Sequence, residues 1–271
     1  MTTTRLFAAL LLSAGLAAVA APASAQEVVF KDPVGDDNGP GTYTYPTDPV
    51  YKPGSFDLTE LKVTQKDGKV TFAASVNSDI EDPWSMPAPA GFSVQMFLIH
   101  IQTGKGGVTK GLPGTNVQFA PEDAWNKLVI LSPQPAGRVR AEVKQKAADL
   151  KDLVVVPSDT TAKGRTVTGT VDLKDLGGGD VTKWGYQVLM QSNEGFPDKT
   201  DVLTRKVNEY EGQHRFGGGN DGDCDPHVLD LLADKAVGDK GEIEAQHQML
   251  AYECNPDGTS KKLATLKMVR K

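Results

Sequence analysis

Two cysteines, four histidines and an aromatic content of 7% leave this chain of 271 residues poorly stocked with reactive and stacking side chains. Two cysteines cannot build a disulfide-dense miniature scaffold. Basic charge is also short, with Lys+Arg 29 against Asp+Glu 35 and a formal charge of −6. That balance withholds the basic face a polyanion binder needs, so nucleic acid is not an expected partner. No apolar run after Ala21 approaches the ~20 residues needed to cross a bilayer, so no transmembrane segment is expected in the mature chain. Catalytic signatures are missing as well: no Gly-x-Ser-x-Gly elbow, Walker loop, His-Glu-x-x-His pair or dinucleotide fingerprint occurs. His100, His214, His227 and His247 are scattered. The chain therefore reads as non-enzymatic, with no catalytic residue assigned. What it does have is 39% hydrophobic residues, too many for intrinsic disorder, and 28 Gly without a three-residue period, which excludes collagen.

The first 25 residues read as a targeting segment. Met1 to Arg5 carries one positive charge, Leu6 to Ala21 has neither acid nor base, and Ala23-Ser24-Ala25 places small residues before Gln26. That is the layout of a secretory signal cleaved after Ala25. An uncleaved membrane anchor is the competing reading, but the apolar stretch is short and cleavage-site chemistry follows it directly. No cysteine stands behind it for a lipid anchor. The chain is thus expected to be secreted, periplasmic or at the cell surface, with residues 26–271 as a single domain. Loss of Arg5 with the signal makes the mature chain one unit more acidic. In an oxidising compartment Cys224 and Cys254 read most simply as one disulfide. It would close a loop of about 31 residues, worth roughly 3–4 kcal/mol by chain entropy. A copper or zinc pair is the alternative, but it lacks a CxxC or a histidine pair at ligand spacing.

The hydrophobic period is mostly two. Val70, Phe72, Ala74 and Val76 alternate with small and polar residues, as a half-buried strand does. Leu61 and Val63 precede the Asp67-Gly68 pair, a strong hairpin signal. Phe92 to Ile101 is nearly continuous in apolar residues and is expected to be a central strand covered on both faces. Shorter strands are expected at Val117–Phe119, Leu128–Leu131, Val139–Val143, Val154–Val156, Thr166–Val171, Trp184–Met190 and Leu263–Val269. Helix is expected around Lys144–Asp152 and Val228–Lys235. Many short strands joined by Gly/Pro turns point to an all-β antiparallel sandwich with a few short helices.

One stretch is distinctive: Lys31-Asp32-Pro33-Val34-Gly35-Asp36-Asp37-Asn38-Gly39-Pro40-Gly41-Thr42-Tyr43-Thr44-Tyr45-Pro46. Further blocks follow in order at Gly54–Leu58, Pro83-Trp84, Gly91–Gln95, Gly114–Val117, Trp184–Tyr186, Phe216–Gly222 and Pro226–Leu232. Together they resemble the DOMON-like domain at the C-terminal end of glucodextranases and some amylopullulanases, over about residues 28 to 250. The resemblance implies a β-sandwich related to carbohydrate-binding modules, appended to polysaccharide-degrading enzymes and holding sugar or cell surface. This chain departs from the pattern in having no catalytic domain to assist, and Cys224 and Cys254 look peculiar to it.

The opening block also makes chemical sense as a cation site. Calcium takes six to eight hard oxygen ligands, carboxylates and loop carbonyls among them. Asp32, Asp36, Asp37 and Asp48 supply carboxylates, Asp57 stands at the next strand's start, and Gly35, Gly39 and Gly41 permit a tight backbone. The same residue types also build ordinary turns, so both readings stand; the resemblance to calcium-bearing sandwich modules adds weight to calcium. A second acidic run, Asp221, Asp223 and Asp225, starts like a calcium loop, but Pro226 and Leu232 occupy the sixth and twelfth positions and exclude an EF-hand. For sugar, which needs flat apolar faces, the candidates are Trp84, Trp125, Tyr43 and Tyr45; Trp184 sits in an apolar strand, where core packing is favoured over stacking.

These signals favour a secreted or periplasmic binding module for polysaccharide or a cell-envelope component, stabilised by calcium. Two alternatives come from other classes. One is a haem-binding redox domain of DOMON type, suggested by His247 and Met249. The other is a purely structural protein docked to an S-layer or envelope complex.

Overall fold

A computed structural model describes residues 25–233 and 239–271. The segment read as a secretory signal lies, but for Ala25, outside the described residues. In chain order the strands begin with β1 Gln26–Lys31, β2 Leu58–Lys66, β3 Lys69–Val76, β4 Gln95–Gln102 and β5 Val117–Phe119. Next come β6 Lys127–Leu131, β7 Val154–Val155, β8 Thr160–Lys163, β9 Thr166–Asp172 and β10 Gly185–Ser192. The last are β11 Asp230–Leu231, β12 Glu253–Cys254, β13 Ser260–Lys262 and β14 Ala264–Leu266. Two α-helices accompany them, α1 Ala136–Lys146 and α2 Asp239–Met249.

The first sheet runs β1-β2-β3-β9-β8, all antiparallel. Its central hairpin turns at Asp67 and Gly68, both at positive φ, the geometry of a two-residue hairpin loop. The pleat sends Leu61, Val63, Val70, Phe72 and Ala74 inward. On the outer face, hydroxyls pair across the strands, Thr71 with Thr170 and Ser75 with Thr166.

The second sheet runs β11-β10-β4-β6-β7. Its strands β4 and β10 are buried on both faces, as the unbroken apolar run Phe92–Ile101 predicts for β4. One face, with Phe97, Ile99, Ile101, Val129, Val188 and Met190, packs on the first sheet. The other face carries Met96, Leu98, Leu128, Ile130 and Leu189 and meets a third layer. That layer consists of α1, the end of α2 and the small parallel pair β5–β14. The architecture is an all-β sandwich with one face covered by short helices and loops.

Three sequence expectations are corrected. Val139–Val143 is not a strand but the middle of α1, where Val139 and Val143 lie one turn apart on the buried side and Ala141 faces solvent. Lys144–Asp152 holds only the last turn of that helix, followed by turns. Residues 228–233, expected to be helical, are extended and buried, and Asp230-Leu231 adds β11 to the edge of β10. The remaining Asp234 and Lys235 lie outside the described residues.

Candidate functional site

Four carboxylates converge where the sheet edges meet. Asp32 follows β1, Asp36 lies in the next turn, Asp57 precedes β2 and Asp230 opens β11. One carboxylate oxygen each from Asp32, Asp36 and Asp230 lie within 4.8 Å of one another. These three are 9%, 1% and 0% exposed, so water screens them little. Asp230 is anchored, its Oδ2 accepting from the Leu58 N–H at 2.6 Å and its Oδ1 from the Leu231 N–H at 2.7 Å. Asp57 Oδ2 accepts from the Gly35 N–H at 3.0 Å and from Asn77 Nδ2 at 3.1 Å. Among the described residues, neither oxygen of Asp32 or Asp36 has a hydrogen-bond partner of good geometry, nor do Asp57 Oδ1 and Asn38 Oδ1. The Ala233 N–H near Asp32 and the Asp36 N–H near its own carboxylate partly offset the burial.

Buried charge without a partner is costly, and the titration of these groups reflects it. Burial, then the charges of Asp36, Glu242 and Asp57, push Asp32 well above the usual carboxylate range. Asp36 is pushed up to about 7 by burial and by Asp57, and Asp57 to about 6 by burial and by Asp37. Asp230 is raised strongly by burial, with Asp32 and Asp36 adding repulsion. Such a cluster must either hold protons or face a cation. Its all-oxygen chemistry suits a hard divalent ion.

The helix α2 closes the cluster from above. Gln246 Nε2 donates to the carbonyls of Asp36 and Gly39, while its Oε1 accepts from the Leu231 N–H at 3.0 Å. Glu242, one turn earlier, is 2% exposed and loads further negative charge onto Asp32 and Asp36. Gly39, at φ +61, is required here because a Cβ would run into the Tyr43 ring.

The sequence candidates divide. Asp32, Asp36 and Asp57 belong to the cluster. Asp37 sits beside it, with its carboxylate accepting from Tyr45 Oη. Asp48 is elsewhere: it caps its own turn by accepting from the Val50 N–H at 3.0 Å and from Gln213 Nε2 at 3.1 Å. Asp230 and Glu242 were missed. The signal for Asp230 was a lone acid inside the apolar run Val228-Leu229-Asp230-Leu231-Leu232. Asp221, Asp223 and Asp225 do not converge. Asp221 accepts from the Glu209 N–H, Asp223 binds Lys206 and His227, and Asp225 is enclosed under Tyr43.

Of the four stacking candidates, Trp84 alone keeps an accessible face, at 38% exposure. Trp125 is fully buried against His100, its Nε1–H donating to the Lys110 carbonyl, so it offers sugar no face. Tyr43 is 6% exposed and donates to the Pro226 carbonyl at 2.6 Å. Tyr45 packs edge-on against Phe56 and Phe216. Both tyrosines buttress the acidic loop. Trp184, 4% exposed, is core as expected. Cys224 and Cys254 form the disulfide, Cα–Cα 5.6 Å, tying the 221–225 turn to β12.

A family model for the C-terminal binding module, SLH-like, of glucodextranase matches residues 28–269. The chain belongs to that family. The match runs from β1 to Val269, whose backbone bridges Tyr186, so it spans both sheets, the acidic cluster and α2. No curated protein matches the chain. Within this glucodextranase-type module, His247 and Met249 give haem no axial pair. Two residues apart on α2 they point about 200° apart, Met249 into the second core and His247 against Gly41. Among the described residues no helix is long and apolar enough to cross a membrane.

Proposed function

We propose that this chain is a secreted, non-catalytic carbohydrate-binding module of the cell surface, whose acidic end closes around calcium. The sugar half is supported by membership of a binding-module family over nearly the whole described chain. A carbohydrate partner fits that description, and the disulfide fits an oxidising, extracytoplasmic setting.

The calcium half is carried by one observation: Asp32 and Asp36 are buried beside Asp230, and none of their four carboxylate oxygens has a hydrogen-bond partner of good geometry among the described residues. Asp32, Asp36 and Asp230 would hold the ion, with Asp57 Oδ1 and Asn38 Oδ1 as further oxygens on the same loops. Bound calcium would counter the mutual repulsion of these carboxylates. The residues themselves do the structural work. Asp230 joins the second sheet's edge to the start of β2, and Gln246 fastens α2 over the loop.

The test is a thermal melt with excess calcium and with chelator, paired with a glycan array run in calcium. A ligand at 100 times its dissociation constant adds about 2.7 kcal/mol, a shift of several degrees. An unchanged midpoint rejects the ion, and a blank array rejects the carbohydrate reading.

A further inference from the structure

Three of the large hydrophobic side chains left in solvent are aromatic, and two of them, Phe196 and Trp84, share neighbours at one place. Phe196 is 95% exposed, Tyr210 66% and Trp84 38%. Phe196 lines an open cleft of about 280 Å³ together with Glu194, Arg205, Asn208, His214 and Arg215. Trp84 stands against two of those residues, with the Arg205 guanidinium 5.9 Å from its ring centre and the His214 ring at 6.3 Å. Arg215 Nε–H donates to the Tyr210 backbone carbonyl at 2.9 Å, which fixes the guanidinium in the cleft wall. Exposed flat rings forgo roughly 25 cal/mol for each Å² they leave in water, so such a gathering marks a surface that is covered in use.

The polar groups between the rings are planar and held in place. Arg205 pairs with Glu194 at 2.8 Å, donates to the carbonyls of His214 and Asn193, and lies over both Tyr51 and Trp84. Lys206 is likewise committed, to Asp198 at 2.9 Å and Asp223 at 2.8 Å. Guanidinium, carboxylate, amide and imidazole edges pair well with vicinal hydroxyls. Glu194 and Asp198 in the cleft wall offset Arg205 and Lys206, and Arg215, whose Nε–H donates to the Tyr210 carbonyl, adds one further cation, so the net field on a charged ligand is small.

We propose that the cleft between Trp84 and Phe196 is the ligand site of this module and takes a neutral pyranose chain lying across it. The aromatic rings meet the C–H faces of the sugars, and Arg205, Glu194, His214 and Asn208 meet their hydroxyls. This rests on the carbohydrate-binding reading above.

The test is calorimetric titration of the calcium-loaded chain, residues 26–271, with dextran and pullulan as neutral probes and alginate as the anionic one. Wild type is expected to bind a neutral glucan with little dependence on salt. Trp84→Ala and Phe196→Ala should each weaken binding about tenfold or more, as truncation of a contact aromatic does. Phe196 is so exposed that its removal should leave the melting midpoint unchanged, which separates lost contact from lost fold. Undiminished binding by both variants overturns the cleft and leaves the carbohydrate reading standing. Preference for alginate overturns the neutral class. A wild type that binds none of these polymers, and nothing on the array, overturns both the cleft and the reading beneath it.

Discussion

Asp230 Oδ2 accepts the backbone N–H of Leu58 at 2.6 Å, and this one bond ties the edge of the second sheet to the first residue of β2. The same carboxylate faces Asp32 and Asp36. A sheet-joining bond and a repulsive charge cluster therefore share one side chain, and substitutions around it should separate the two.

Asp36→Asn removes a charge without removing bulk. In chelator it should raise the melting midpoint, because like-charge repulsion with Asp57 and Asp37 is relieved. In excess calcium it should shrink the stabilisation that the ion brings. Melts of both proteins in both conditions check it; a variant less stable than wild type in chelator would contradict the repulsion.

Asp230→Ala should be destabilising in either condition. It strands the Leu58 N–H in a buried site, at about 1–3 kcal/mol for the unsatisfied group, while the Leu231 N–H keeps Gln246 Oε1 as acceptor. Urea unfolding in chelator measures this without contribution from an ion.

The metal-free protein should lose stability as pH rises. Unfolded aspartates titrate near ~3.9, whereas Asp57 and Asp36 are raised to about 6 and about 7 when folded. A raised acid holds its proton more tightly in the folded state, so its contribution is complete below about pH 4 and disappears as pH passes through the folded values. Midpoints in chelator should fall between pH 5 and pH 8. Excess calcium should flatten or reverse that slope, since the ion takes over from the protons.

Cys224→Ser with Cys254→Ser should cost roughly 3–4 kcal/mol through the freed loop. Denaturant unfolding gives the figure, and a calcium-induced shift retained in the double variant would place the disulfide outside the ion's own support.

Much of the sandwich was readable because its signals are local. Asp67-Gly68 between two alternating runs specifies the β2–β3 hairpin, and Phe92–Ile101 declares a strand covered on both sides. The stretch Val139-Arg140-Ala141-Glu142-Val143 misleads for a definable reason. Apolar residues there satisfy a period of two and a spacing of four at once, and only packing against the second sheet decides. Three of the four converging carboxylates were legible for the same local reason, as Asp32, Asp36 and Asp57 lie in one N-terminal stretch. Asp230 and Glu242 arrive from the far end of the chain, brought in by β11 and α2. Trp125 followed Pro121-Glu122-Asp123, polar enough to suggest exposure, yet the parallel pair β5–β14 and His100 enclose it.

Rings run in contact from the acidic loop to the cleft: Tyr45 with Phe216 at 5.6 Å, Phe216 with Tyr51 at 5.8 Å, and Tyr51 with Trp84 at 6.2 Å. The other two indoles, Trp125 and Trp184, are shut away at 0% and 4% exposure. An aqueous quencher such as iodide thus reaches one of the three fluorophores. The protein carries its own optical gauge, in which shielding of Trp84 reports what covers the cleft while the two enclosed tryptophans supply a constant internal reference.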